Sequence, residues 1–248
     1  METWRQLSEF TDLPFAETEP EELPPLPEVA APVAPSEVPP GDLAWERPGL
    51  VGLPGRLVET ASQIFSRPAT TFRGLDPNAS IARALVYYLL LATISTWICI
   101  GYDMLLALFV PDMLPKHPIT GKMVPFPIVA GIFVLKAVVA PFFLAGIVFV
   151  ASGFLHMLLM MFGVSEPNFM VTVRVYCYAI GTAFLLMLIP ACGVLIFLPT
   201  SVMLLVVGLK EAHGTDFVRP AIAVILPVAA LIFLYGLLLV VTQAGVIK

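Results

Sequence analysis

Three ionisable residues stand within long apolar runs: Asp103, Lys136 and His156. A charge at the centre of a bilayer costs at least ~2.5–3.5 kcal/mol on insertion scales, so each raises a functional question. Asp103 lies about seven residues from the end of its run, roughly 10 Å below that membrane boundary at 1.5 Å per residue. Lys136 falls near the start of the next run and can snorkel to the same side. An Asp103–Lys136 pair is conceivable, and two separate interfacial residues are the simpler expectation. His156 is a lone imidazole with no second histidine or carboxylate on its face, which predicts a packing histidine rather than a ligand or proton relay. A second set flanks the apolar runs: Arg67, Arg73, Arg174, Lys210, Glu211 and His213. These are candidate contacts to lipid headgroups or to a soluble protein partner. Arg174, near the start of a run, can snorkel to the boundary.

None of these residues makes a catalytic constellation. No Ser-His-Asp set, HExxH, Gly-rich phosphate loop or CxxC is present. Cys99, Cys177 and Cys192 fit no metal spacing and read as small buried hydrophobes. No enzyme activity, metal or cofactor is expected.

The elements that hold these residues follow from composition. The 248 residues are 58% hydrophobic and 12% charged, with a mean hydropathy of +0.92. A soluble domain is nearer 45–50% apolar and ~25% charged. A soluble enzyme, a disordered protein, a disulfide scaffold and a nucleic-acid binder are excluded. A polytopic membrane protein remains. Five runs are long enough to cross the ~20-residue hydrocarbon core: about 84–110, 137–162, 169–189, 194–209 and 220–241. Residues 128–163 are nearly unbroken in apolarity around Lys136, Pro141 and His156. They predict one kinked span with a prolongation or interfacial piece at its start. Pro141, Pro199 and Pro227 fall inside spans, where neighbouring groups can satisfy the freed carbonyls. Lys210 to Arg219 is expected to form a polar loop, with Gly214 able to stop a helix. The expected class is all-α, a five-helix transmembrane bundle, because lipid leaves unpaired backbone groups without water.

Ahead of the spans the chain changes character twice. Residues 1–47 hold eleven acids against Arg5 and Arg47, together with nine prolines. Such a segment cannot offset its ordering entropy, so a disordered acidic tail is expected. It also lacks an apolar signal region, so the first span is expected to act as its own insertion signal. Over 54–75, Leu57, Val58, Ala61, Ile64, Phe65, Phe72 and Leu75 recur at helical spacing. Pro68 fits the first turn of a second helix, which predicts helices near 55–66 and 68–75. With Arg56, Arg67 and Arg73 they form a basic amphipathic piece that can lie in the headgroup plane, pack on the membrane body, or both. Asp76-Pro77-Asn78 reads as a turn, with Ser80 as a cap.

Five spans put the termini on opposite sides. An inside amino terminus places Arg56, Arg67, Arg73, Arg83, Arg174, Lys210 and Arg219 in the cytoplasm, against Lys116, Lys122, Lys136 and Lys248 outside. The positive-inside rule favours that orientation.

Several motifs, in this order, resemble the Yip domain family of Ypt/Rab-interacting membrane proteins. They are Ser66-Arg67-Pro68-Ala69-Thr70-Thr71-Phe72-Arg73, His156, Arg174-Val175-Tyr176-Cys177-Tyr178-Ala179, Ile189-Pro190 with Gly193, and Gly208-Leu209-Lys210-Glu211-Ala212-His213-Gly214-Thr215. The resemblance covers about residues 55–243. It implies a five-span bundle, a cytoplasmic amino terminus and a non-enzymatic role. Eukaryotic members look like adaptors that recruit small GTPases and shape or sort vesicle membranes at the ER and Golgi. The Ala/Pro/Val/Gly-rich composition points to a prokaryotic member in a bacterial inner membrane, with an ER or Golgi membrane as the alternative. The functional expectation is an adaptor or scaffold held in the lipid bilayer, with a soluble partner on the cytoplasmic side, no nucleic acid and an open oligomeric state. The rivals are a small transporter or channel using Asp103, His156 and the proline-broken spans, and a lipid-handling or curvature-inducing protein.

Overall fold

The computed structural model describes residues 43–47, 52–110, 124–164, 167–190 and 192–243. All of them lie in one compact unit, 38–248. The described residues form seven α-helices: α1 (Leu53–Ser66), α2 (Pro68–Arg73), α3 (Ile81–Phe109), α4 (Phe126–Met161), α5 (Phe169–Ala183), α6 (Gly193–His213) and α7 (Val218–Gln243). A 3-10 turn, Phe184–Leu188, extends α5. Five helices, with the 3-10 turn counted into α5, are long and apolar enough to cross a membrane. The described residues contain no strand.

Local sequence explains the boundaries. Pro54 and Pro68 stand at the first turns of α1 and α2, where a missing N–H costs nothing. Ser80 caps α3 by accepting from the Ala82 amide at 3.3 Å, and Asn168 caps α5 by accepting from the Met170 amide at 2.9 Å. Asp76 accepts from the Asn78 amide through its side chain at 2.9 Å, which closes the expected turn. Gly214 ends α6 with φ of 58°, a left-handed conformation that suits glycine, and its amide bonds the Lys210 carbonyl.

Three boundaries differ from the sequence expectation. Most of the 128–163 stretch belongs to one continuous helix, Phe126–Met161, that carries Pro141 inside it. The fourth span runs a further turn past residue 209, so Lys210, Glu211 and His213 ride on α6 rather than in a loop. Lys, Glu and Ala are strong helix formers, and Glu211 gains two cationic partners there. The third departure concerns the tail. Leu43, Ala44 and Trp45 are buried and form a turn, in which the Glu46 amide bonds the Leu43 carbonyl at 2.9 Å. The rest of the expected disordered tail, 1–42, lies outside the described residues.

Helix α5 is the centre. Two-thirds of an apolar 18-residue stretch of α5 and its 3-10 turn is buried, against 6% of the corresponding stretches of α4 and α7, which present apolar side chains outward. Small residues let its neighbours approach. A Cβ on Gly181 would sit 3.1 Å from the Tyr88 Cα of α3. On Gly208 of α6 it would sit 2.7 Å from a Val175 methyl and 3.3 Å from the Phe72 ring. Helices α1 and α2 turn Thr60, Ala61, Ile64 and Phe72 onto the bundle. Leu53, Val58 and Phe65 of α1 remain exposed.

Gly193 opens α6 against the turn that ends α5. A Cβ there would meet the Leu186 carbonyl oxygen at 2.5 Å and the Met187 Cα at 2.9 Å, both backbone atoms that cannot rotate away. Gly193→Ala is expected to cost about 1–3 kcal/mol and to lower the melting temperature of the detergent-solubilised protein. Gly131→Ala, where no atom lies within 4 Å, is expected to leave it unchanged or slightly raised.

Candidate functional site: a polar network at one end of the bundle

The start of α3, the end of α4, the start of α5, the end of α6 and the start of α7 share one end of the molecule. Three bonds establish this. Arg174 of α5 donates to the Asp76 carbonyl, Thr172 of α5 bonds His213 of α6, and Arg219 of α7 donates to the Gly163 carbonyl after α4. Nearly all the polar contacts cluster here.

Arg174 is at the heart of it. Its side chain is 0% exposed. Uncompensated burial of a guanidinium in low dielectric is strongly unfavourable, so it must carry a counter-charge. Glu46 supplies one: its Oε1 lies 2.5 Å from Arg174 Nη2 and accepts from the Tyr178 hydroxyl at 2.7 Å. The carboxylate is itself only 8% exposed. Tyr178 sits one helical turn after Arg174, so one face of α5 presents both groups to the acid.

Glu46 is positioned by the residues around it. The Trp45 amide donates to Thr60 Oγ1 at 2.8 Å, and its indole N–H donates to the Arg83 carbonyl at 2.7 Å. The Ala44 amide donates to Gln63 Oε1 at 3.2 Å. The Arg83 guanidinium returns to the Glu46 carbonyl. The Trp45 ring meets Tyr87 edge-on at 5.8 Å between centroids, and Tyr87 meets Tyr178 at 5.2 Å. Tyr87 in turn shares a 2.8 Å hydrogen bond with Thr182. Arg56 stands over the Trp45 ring at 5.8 Å. The root of the acidic segment is thus clamped between α1, α3 and α5.

The structure therefore revises two expectations. Arg174 does not snorkel to a boundary: it is sealed inside an intramolecular ion pair. His156 is not alone either. Its Nδ1 lies 3.2 Å from Thr172 Oγ1, which lies 3.1 Å from His213 Nε2. Thr172 also donates to the Asn168 carbonyl at 3.3 Å. One hydroxyl has one proton, so with that proton on Asn168 both imidazoles donate to Thr172. His213 also lines a polar cavity of about 270 Å³ with Thr215, Asp216 and Arg219. Among the described residues no group of three or more His, Cys, Asp and Glu side chains is placed to hold a metal.

The remaining candidates divide. Arg73 joins Glu211 through Nε at 2.9 Å and Nη2 at 2.5 Å, and Lys210 reaches the other Glu211 oxygen at 2.6 Å. This trio couples α2 to α6 on the surface. Arg67 is exposed beside it in the chain. Asp103 and Lys136 lie elsewhere, on facing stretches of α3 and α4, where both line one cleft.

The Yip1 domain model matches residues 62–240. The chain belongs to the Yip1 domain family. No curated protein and no solved structure matches it. The family is one of non-enzymatic membrane proteins, and the five apolar helices place this member in a lipid bilayer. Glu46 and Trp45 lie outside the matched Yip1 region, yet Glu46 neutralises the arginine at its centre. Sequence reasoning missed them because Glu46 is one acid among many in a proline-rich stretch. Two signals pointed there: a buried-span arginine needs a partner, and Leu43-Ala44-Trp45 is apolar within that stretch.

Removing one partner of a buried pair is expected to cost about 3–5 kcal/mol. Glu46→Ala and Arg174→Met should each lower the melting temperature sharply. The double variant should lose less than the sum of the two, measured as a double-mutant cycle on detergent-solubilised protein.

Proposed function

We propose that this Yip1 family protein is a membrane adaptor or scaffold that holds a soluble partner on the cytoplasmic side. The clamped root of the acidic segment carries this reading. Glu46, next in the chain after the acidic, proline-rich stretch, is held in the grip of Arg174 and Tyr178. The Arg73–Glu211–Lys210 trio and His213 lie at the same end, so a partner reached by the tail would meet a charged surface. The excess of Arg and Lys at this end supports a cytoplasmic amino terminus and a carboxyl terminus outside. The composition supports a bacterial inner membrane.

The interior supports an adaptor over a transporter. His156 and the Asp103–Lys136 cleft are far apart: twenty residues of α4 separate Lys136 from His156, about 30 Å at 1.5 Å per residue. Between the two ends, Tyr87, Leu91, Val148, Leu155 and Leu159 are buried in one core. Exposed Leu53, Val58 and Phe65 on α1 are suited to the headgroup plane, which supports a secondary role in shaping the leaflet.

Proximity labelling in the native cell tests the adaptor reading. The full chain is expected to label a set of soluble cytoplasmic proteins, which the 1–42 deletion loses while still inserting. Lys210, Glu211 and His213 changed together to alanine should weaken capture of the same set. Identical labelling by all three forms would exclude the proposal. Single cysteines placed in the tail and after Gln243 should react with an impermeant reagent from opposite faces.

A further inference from the structure

Asp103 and Lys136 have no role in the polar network. They sit at the other end of the molecule, where the Tyr102 hydroxyl of α3 bonds the Leu188 carbonyl that closes α5. Helices α3 and α4 run side by side there, tied by the Trp97 indole N–H donating to the Ala137 carbonyl at 2.8 Å. Between them opens a cleft of about 470 Å³, lined with Thr96, Ile100, Asp103, Ile132, Lys136 and Phe143. That is within the 300–1,000 Å³ range of small-molecule sites. Its walls are almost wholly apolar, with one acid and one base among them.

The two charges are not spent on each other. Both side chains are exposed, and among the described residues neither makes an ion pair. Lys136 stands over the Phe133 ring at 5.6 Å. Their depth is informative. The bundle's polar end lies at Arg83, and about 20 residues of helix cross the hydrocarbon core. Counting on from Ala84 brings the opposite boundary close to Asp103, shallower than the roughly 10 Å depth expected from the end of the apolar run. The cleft is flanked by exposed Val134, Leu135, Val138, Val139 and Phe142, so it opens onto acyl chains. At such a boundary a carboxylate and an ammonium, neither in an ion pair among the described residues, sit at the depth of lipid headgroups. A ligand that brings both complementary charges on one molecule can pair with each of them.

We propose that the α3–α4 cleft binds a phospholipid whose headgroup ends in a primary amine, such as phosphatidylethanolamine. The phosphodiester meets the Lys136 ammonium. The lipid's own ammonium donates to the Asp103 carboxylate. One acyl chain lies along Ile100, Ile132 and Phe143. A quaternary choline carries the same charge but no N–H, so it cannot make the charge-assisted bond to Asp103. A glycerol headgroup would satisfy Lys136 through its phosphodiester and offer Asp103 only neutral hydroxyls, with no counter-charge. The cleft thus discriminates by headgroup chemistry and not by charge alone. The proposal requires the membrane assignment but not the adaptor reading.

Native mass spectrometry of the full-length protein tests it, after release from bilayers with equal parts of phosphatidylethanolamine, phosphatidylcholine and phosphatidylglycerol. The primary-amine lipid is expected to be retained about tenfold over the choline lipid, the factor for one charge-assisted hydrogen bond. Retention should fall stepwise through the N-methylated and N,N-dimethylated headgroups, a series that needs no variant. D103N should bring the primary-amine lipid down to the choline level. K136Q should weaken all three lipids. Equal retention of the three lipids, preference for the glycerol lipid, or a D103N variant with unchanged selectivity would each overturn the proposal. Tail-dependent partner labelling is read separately, so failure here leaves the adaptor reading standing and the reverse also holds.

Discussion

A guanidinium sealed within a membrane bundle sets the terms for everything around it. Arg174 is fully buried, and a bare charge there is far costlier than any single packing contact can offset. Its neighbours have to be arranged to neutralise it. The Glu46 carboxylate does so from outside the helical hairpins, and the Asp76 carbonyl does so from the turn that leads into α3. That fixes the turn, the entry angle of α3 and the path of the chain before α1. Trp45 then becomes a wedge whose backbone and indole bind α1 and α3 together. One electrostatic requirement thereby organises four separate segments.

The packing of the spans follows a different rule. Between helices in lipid there is little hydrophobic drive, and close approach through small residues takes its place. Gly181 and Gly208 admit a backbone and a side chain at distances that any larger residue would block. Around them the Tyr87–Tyr178, Tyr88–Tyr176 and Tyr88–Phe184 rings meet at centroid separations of 5.2, 6.2 and 6.1 Å, typical of edge and tilted pairs. Helix α5 packs on α3, α4 and α6, and α7 joins the bundle mainly through α6. The most apolar stretches of α4 and α7 face outward.

Features set by near neighbours in sequence were legible before the fold was known. Pro68 divided α1 from α2, Ser80 marked the start of α3, and apolar length marked five spans. The helix end at Gly214 was equally plain, although the last turn before it is helical because Glu211 finds Arg73 on α2. What could not be read were pairings across distance. Glu46 and Arg174 are 128 residues apart, and nothing local distinguishes Glu46 from the acids before it. His156 lacked a companion on its own helix, and Thr172 bridges it to His213 from two other helices. Periodicity reports which face a residue occupies, and it is silent about which element comes to meet that face.

The clamp also fixes the backbone ahead of α1. The turn over 43–47 is buried, wedged by Trp45 and held by a buried ion pair. Pulling Glu46 away would expose a guanidinium with no other carboxylate beside it among the described residues. The same ion pair that permits Arg174 to be buried therefore couples the short segment before α1 to the integrity of the helical bundle.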